Sequence, residues 1–148
     1  MIYRLYTSFL GIGFIRKAPG TFGSIPGLFL GVALSRFSNL TSIAILAVFS
    51  LAAYIAIQKV ERQLDSHDPS EIVIDEVIGQ AIAVLWIEPK LISLAIAFGL
   101  FRFFDILKPG PIGWIDKKVK GPLGTLGDDM IAGLIAGALA HFIQAKLF

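Results

Sequence analysis

Residues Phe101–Asp129 read FRFFDILKPGPIGWIDKKVKGPLGTLGDD, and they place charged side chains directly beside apolar runs. Arg102, Asp105 and Lys108 follow one another at three-residue spacing, which puts them on one side of a helix near its C-terminal end. Two prolines end that helix, a basic loop with three lysines follows, and the pair Asp128–Asp129 precedes the next apolar run. Charges are costly to place so close to hydrophobic segments, so this stretch indicates a site.

The composition indicates a membrane protein. The chain has 148 residues, of which 55% are hydrophobic and 16% charged, and its mean hydropathy is +0.77. Soluble domains have about 25% charged residues. The length predicts a single membrane-embedded domain over residues 1–148. The absence of cysteine excludes disulfides, thiolate metal sites and a cysteine nucleophile, and a net charge of +2 gives no support for nucleic-acid binding.

The apolar runs predict an all-α, polytopic integral membrane bundle of about four to five membrane helices, with an N-terminal helix at the membrane interface. The first short run has to begin near Gly20, or be re-entrant or tilted, because ten residues span only about 15 Å. The second run has eighteen residues and no charge. The interfacial helix is expected over Ile2–Ile15, and the spans over Ile25–Leu34, Leu40–Ile57, Ile72–Ile87, Leu91–Leu107 and Met130–Ile143.

Turn and capping residues give the predicted boundaries. Residues 16–24 are expected to form a loop, because they hold two glycines and a proline. Asp68 suits an N-cap position, followed by Pro69 at N1 and Glu71 at N3. In the last span Gly133 and Gly137 repeat at four-residue spacing, beside three alanines that do the same. Small stripes of this kind let helix backbones approach closely in lipid.

The basic residues predict the orientation. If the first span crosses outward, nine lysines and arginines lie on the side of loops 16–24, 58–71 and 108–128, and three lie on the other side. The positive-inside rule then puts the first side in the cytoplasm. Charged residues from four segments fall at or just under that face: Asp68, Asp75, Glu76, Arg102, Asp105, Lys108, Asp128 and Asp129.

Each of these residues also has a structural interpretation. Asp68 can be a plain N-cap, Asp128 can close a capping box with Thr125, and acids in a first helical turn favour the helix dipole. The lysines of the basic loop suit lipid headgroups, and the isolated His67 and His141 have no assigned role. For the cluster as a whole function is favoured, because a charge costs about 2.5–3.5 kcal/mol at the membrane centre, and several buried acids repel one another unless a cation joins them.

The residue types narrow the chemistry of the cluster. Carboxylate oxygens without cysteine or paired histidine suit Mg²⁺ or Mn²⁺ rather than zinc. Arg102, Lys108 and the exposed backbone N–H groups of the glycine-rich segment Gly20–Ser24, which includes Thr21 and Ser24, suit a phosphate group. Metal and phosphate together at a membrane edge predict phosphoryl chemistry on a lipid headgroup.

The motifs in order resemble the phosphatidylglycerophosphatase A family of bacterial membrane phosphatases. The resemblance is carried by Pro19–Ser24, Asp68 with Ile72–Gly79, Phe101–Pro109 with Pro111–Ile112, and Gly124 with Asp128–Gly133. It implies Mg²⁺-dependent removal of the terminal phosphate from phosphatidylglycerol phosphate, giving phosphatidylglycerol, by a multi-pass protein of the bacterial inner membrane whose site faces the cytoplasm. The residues that it implies as catalytic and metal-binding are Asp75, Glu76, Asp105, Asp128 and Asp129.

Alternatives remain open at this stage. A covalent aspartyl-phosphate is compatible with the same residues. A cation or proton carrier also uses intramembrane acids, although carrier sites tend to lie near the midplane. A CDP-alcohol-type lipid phosphotransferase would place its aspartates along one helix, whereas here they are spread over three. The sequence leaves open the metal count, the oligomeric state, the acyl-chain preference and which carboxylate activates water.

Overall fold

The computed structural model describes residues 1–66 and 68–147, so His67 lies outside the described residues. Over this part the chain is helical and has no strand, which confirms the all-α prediction. A short 3-10 turn at Ile12–Phe14 follows the first helix. The helices are α1 (Ile2–Thr7), α2 (Pro19–Leu34), α3 (Asn39–Leu64), α4 (Ile74–Val84), α5 (Leu91–Leu107), α6 (Pro111–Lys118) and α7 (Pro122–Leu147).

Helix α4 forms the centre of the fold. Glu76 is its one partly exposed residue, and the other ten are buried. It packs mainly against α2 on one side and α7 on the other, with α5 beside it, while α1 packs on α3. A helix that is apolar on all sides is expected at such a position, and its first turn delivers Asp75 and Glu76 into the interior.

Helix α2 lies against α4 through its glycines. A Cβ atom added at Gly27 would come within 2.6 Å of the Val77 carbonyl oxygen, and one at Gly31 within 2.7 Å of the Ala81 carbonyl oxygen. The loop predicted for residues 16–24 is therefore wrong from Pro19 onward, because the glycines serve close helix packing and Pro19 takes an N-terminal helical position. The expectation that the first span begins near Gly20 is confirmed.

Helix α7 packs on α4 by the same principle. A Cβ at Gly133 would overlap the Gly79 carbonyl of α4, and Gly137 faces Ala83. The accompanying alanines 132, 136 and 140 are buried. The predicted close approach through small residues is thus confirmed, although α7 begins at Pro122 rather than Met130.

Several other predicted boundaries are wrong. Helix α3 continues to Leu64, so the span expected to end at Ile57 is longer and the loop predicted for residues 58–71 is shorter. Helix α4 begins at Ile74 with Val73 at its N-cap, and Asp68 instead has a positive φ of 50° in the preceding turn. The basic loop contains a helix, α6. The N-terminal helix ends at Thr7, and three consecutive residues with positive φ, Phe9, Leu10 and Gly11, then redirect the chain. Because α7 starts early, the Thr125–Asp128 capping box also falls inside a helix.

Two helices, α3 and α7, are long and apolar enough to cross a membrane, with 26 residues each. Helices α2 and α5 are apolar as well but have 16 and 17 residues, and α4 has 11. The bundle is therefore all-helical with two candidate membrane spans of full length.

Candidate active site

The predicted acids surround one cavity. It has a volume of about 290 Å³ and lies where the N-terminal end of α4 meets the C-terminal end of α5 and the first turns of α7. Residues from the loop before α4 and from the start of α2 complete its wall. The charged side chains that line the cavity are Asp68, Asp75, Glu76, Arg102, Asp105, Lys108, Asp128 and Asp129.

The loop before α4 is held by contacts to the N-terminal segment. Arg4 Nε and Nη2 donate to the two carboxylate oxygens of Glu71 at 2.7 and 2.6 Å. The Val73 amide donates to the Thr7 carbonyl at 2.9 Å. A bidentate arginine–carboxylate pair fixes geometry as well as charge, so α1 fixes the position from which α4 and its two acids begin.

Asp75, Glu76 and Asp129 form the tightest group of acids. One carboxylate oxygen from each lies within 4.8 Å of the others. Asp75 and Asp129 are 7% and 3% exposed. Among the described residues, Asp75 Oδ1, Glu76 Oε2 and Asp129 Oδ2 are buried without a hydrogen-bond partner. Three such oxygens repel one another and have lost water, so the group is unfavourable unless protons or a cation join it.

This group fits a hard divalent cation. Mg²⁺ takes oxygen ligands at about 2.0–2.1 Å, so opposite ligands lie about 4.2 Å apart, and it keeps several waters beside one or two carboxylates. The 4.8 Å spread of the three oxygens is close to that distance. All three residues line the cavity, and each has one buried carboxylate oxygen without a hydrogen-bond partner among the described residues.

Arg102 lies between the acids and α2. Its Nη1 donates to Asp105 one turn further along α5, and the same nitrogen lies 3.5 Å from the hydroxyl oxygen of Ser24. Its Nε is buried and has no hydrogen-bond partner among the residues described. The guanidinium therefore keeps donor capacity near the cavity while Asp105 holds it in place.

Lys108 is shared by two carboxylates. Its Nζ donates to Asp116 of α6 at 2.6 Å and also to Asp128 of α7. Burial alone would lower the pKa of Lys108, but the hydrogen bonds and charges of the two aspartates outweigh it and raise that pKa above its usual value. Lys108 thus ties α5, α6 and α7 together as a permanent cation.

The two residues of the glycine-rich segment that were predicted to bind phosphate are placed differently from the charged residues. Thr21 and Ser24 lie within α2, and neither lines the cavity. The Ser24 hydroxyl donates to the Gly20 carbonyl at 2.9 Å, and the amides of Thr21 and Phe22 bond to the Ala18 carbonyl. These backbone groups are engaged in starting the helix.

Two acids that the sequence reasoning did not assign take part in the site. Asp116 pairs with Lys108, and Glu61 of α3 accepts from the Asp68 amide at 3.0 Å and lies 3.4 Å from the Thr125 hydroxyl. Both stand in polar stretches, where an acid is usually solvated. Sequence spacing gave no signal for either acid, because both contacts depend on how the helices fold back on one another.

Fold and cavity together define an all-helical protein with a buried, acid-rich site near the ends of three helices. Comparison with known sequences agrees with this class. The family model for phosphatidylglycerophosphatase A matches residues 5–144. The chain belongs to the phosphatidylglycerophosphatase A family, as the resemblance predicted, and this makes it an enzyme of the phosphoric monoester hydrolase class.

Individual relatives support the family. Phosphatidylglycerophosphatase A of Haemophilus influenzae is 39% identical over 138 residues, covering 90% of this chain and 83% of the relative. The Escherichia coli protein of the same name is 30% identical, and the match covers 90% of this chain and 78% of the relative. A putative phosphatidylinositol-3-phosphatase of Bacteroides thetaiotaomicron is 33% identical, and the match covers 84% of this chain and 82% of the relative. No solved structure matches the chain significantly.

Proposed function

We propose that this protein hydrolyses the terminal phosphomonoester of phosphatidylglycerol phosphate in the presence of Mg²⁺, giving phosphatidylglycerol and phosphate. The observation that carries the proposal is the group of three unpartnered carboxylate oxygens, on Asp75, Glu76 and Asp129, in the same cavity as Arg102. A negatively charged phosphomonoester enters such a cavity only if a cation neutralises the acids.

Asp75, Glu76 and Asp129 are the residues proposed to hold Mg²⁺, which when bound would neutralise charge on the phosphoryl oxygens and activate a water molecule. Asp105 and Asp128 were also expected as ligands. Because they bond to Arg102 and Lys108, we assign them here to positioning those two cations.

Arg102 is proposed to bind the phosphoryl oxygens through its free Nε donor. Lys108, engaged by two carboxylates, adds positive charge nearby rather than a free donor. Ser24 supports Arg102 from α2, and Thr21 lies one residue beyond Gly20 at the same helix start. A carboxylate of the cavity that is not bound to metal accepts the proton of the attacking water.

The site also defines a proposed position in the membrane. Helices α2, α3, α4, α5 and α7 would form a five-pass bundle in the bacterial inner membrane, with α4 enclosed by its neighbours and α1 at the interface. The nine-to-three distribution of basic residues supports a cytoplasmic position for the cavity. A phosphomonoester carries up to two negative charges, so hydrolysis is expected on the side where the lipid is made.

Phosphatidylinositol 3-phosphate is a second candidate substrate, because one relative carries that name in a putative form. Both lipids present a phosphomonoester, so the cavity contacts described above serve either. The headgroup beyond the phosphate distinguishes them.

The test is phosphate release by the purified protein in detergent, with each lipid, in Mg²⁺ and in excess EDTA. Turnover of phosphatidylglycerol phosphate in Mg²⁺ alone supports the proposal. Preference for the inositol lipid would reassign the substrate, and undiminished turnover in EDTA would overturn the metal assignment.

A further inference from the structure

An apolar groove of about 630 Å³ lies between α2 and α5. The residues of α2 that line the groove recur at three- and four-residue spacing, so they lie on one face of that helix. The lining residues of α5 follow the same spacing. The lining side chains are Ile25, Leu28, Phe29 and Val32 from α2, and Leu91, Leu94, Ala95 and Phe98 from α5, with Arg36 and Pro89 at one end.

The groove exists because both helices pack on α4 and hardly on each other. The glycine face of α2 lies against α4, so its large side chains point away from the core. Phe29 is 72% exposed and Ile25 is 40% exposed. The exposed aromatic and aliphatic side chains of the two helices therefore line a cleft that opens at the side of the bundle.

One end of the groove lies beside the candidate active site. Phe98 stands one helical turn before Arg102, and Ile25 directly follows Ser24. Arg102 and Ser24 approach each other across the two helices at 3.5 Å. The phosphate-binding guanidinium therefore stands at the head of the apolar cleft.

The groove also has the length of one lipid leaflet. From Ser24 to Leu34, where α2 ends, the helix rises about 15 Å, at 1.5 Å for each residue. Half of a bilayer's hydrocarbon core is about 15 Å. The acyl chains are joined to the terminal phosphate through a glycerol, a phosphodiester and a second glycerol, so a lipid bound at Arg102 can lay one chain along the groove beside the site.

We propose that this groove holds an acyl chain of the lipid substrate, and that the substrate enters sideways between α2 and α5. This inference rests on the proposed lipid phosphatase function. A fatty acyl chain matches the apolar lining, the leaflet length and the continuity with Arg102. Bulk lipid without selectivity, or a second copy of the chain, would match only the lining.

The kinetic test uses Ala95→Trp, which fills the groove, and Ala44→Trp as its control. Ala44 is also an exposed alanine near the N-terminal end of an apolar helix, α3, and it does not line the groove. Each variant is assayed with dipalmitoyl and dioctanoyl phosphatidylglycerol phosphate in mixed micelles. We expect Ala95→Trp to raise KM for the dipalmitoyl lipid about 10-fold, as loss of roughly two buried methylene groups would, with less effect on the dioctanoyl lipid and none from Ala44→Trp.

Photolabelling gives a second measurement that does not depend on turnover. The lipid is a phosphonate analogue of phosphatidylglycerol phosphate that resists hydrolysis and carries a diazirine on its acyl chain, and it is bound to the wild-type protein in Mg²⁺. Label is expected on residues 25–36 and 91–98, and the unlabelled phosphonate should compete for it while phosphatidylcholine should not.

The outcomes separate the two hypotheses. A wild-type protein that hydrolyses neither lipid refutes the proposed function. The groove assignment is overturned if the wild-type protein is active, Ala95→Trp leaves the kinetics unchanged and phosphatidylcholine displaces the label equally well. That result would identify bulk lipid in the groove. Label lost on dilution to monomer would identify a second copy.

Discussion

Gly20 of α2 and Glu76 of α4 lie so close together that no side chain fits between them. A Cβ atom at Gly20 would overlap Glu76 Oε1 and would lie 3.2 Å from Arg102 Nη1. The start of α2 therefore sets the positions of one proposed metal ligand and of the proposed phosphate-binding arginine, although Gly20 contributes no side chain of its own.

The variant Gly20→Ala tests this contact. We expect activity to fall about 100-fold, because a misplacement of about 1 Å at a reacting centre costs that much, while the helix itself gains from alanine. The matched control is Gly99→Ala on α5, where an added Cβ meets no atom within 4 Å. Steady-state phosphate release compares the two, and equal activities would show that Glu76 adjusts freely.

Asp129→Asn and Glu76→Gln should each lower turnover about 100-fold or more, the scale on which one preorganised electrostatic contact acts. Both proteins should still insert and purify, because removing one charge relieves repulsion among buried acids. Glu88→Gln is the control, since that side chain is 67% exposed. If either variant turned over at a near wild-type rate, the acid that it replaces would serve packing and would have no part in catalysis.

Mg²⁺ should stabilise the wild-type protein against heat. A ligand present at 100 times its Kd adds about 2.7 kcal/mol to the free energy of unfolding. In Asp129→Asn the melting temperature should not respond to Mg²⁺, and without metal it should equal or exceed that of the wild type. Thermal unfolding in detergent, with Ca²⁺ for comparison, measures both effects. A metal response that survives in Asp129→Asn would exclude this aspartate from the ion.

Arg102→Lys should reduce kcat/KM roughly 100-fold, as loss of a positioned donor does. A lysine has no planar fork with which to bond Asp105 and reach Ser24 and the phosphate at once. Arg62→Lys makes the same exchange at an exposed position of α3 and should be neutral. If both variants behaved alike, charge alone would account for the role of Arg102.

The orientation can be tested by cysteine labelling, because the chain has no cysteine. Lys118→Cys lies at the exposed end of α6, on the side of the cavity, and Lys90→Cys lies at the exposed start of α5. In oriented inner-membrane vesicles an impermeant thiol reagent should reach Lys118→Cys only from the cytoplasmic side, and Lys90→Cys only from the opposite side. Labelling of both from one side would contradict the five-pass arrangement.

The sequence predicted best where proline and charge act locally. Helix α5 was expected over Leu91–Leu107 and has those bounds, because Pro89 and Pro109 flank it. Asp75 and Glu76 were placed in the first turn of a helix, where they lie. Local chemistry decided these features, so no tertiary contact was needed to find them.

The sequence predicted poorly where tertiary packing overrides propensity. Residues 19–24 were assigned to a loop because their glycines, which serve close packing, were interpreted as helix breakers. The start of α7 was placed too late because the span was begun at the apolar run that follows Asp128 and Asp129. The pairing of Lys108 with acids 8 and 20 residues away depends on how α6 folds back, which spacing does not reveal.

The burial of α4 has a consequence for the order in which the enzyme is made. With 11 residues it is too short to enter a bilayer on its own, and it needs the glycine faces of both α2 and α7 to cover it. Ribosomes make α2 before α4 and α7 after it. The proposed metal ligands on α4 and α7 therefore cannot meet until α7 has been synthesised, so a chain still in translation has no phosphatase site with which to act on the membrane around it.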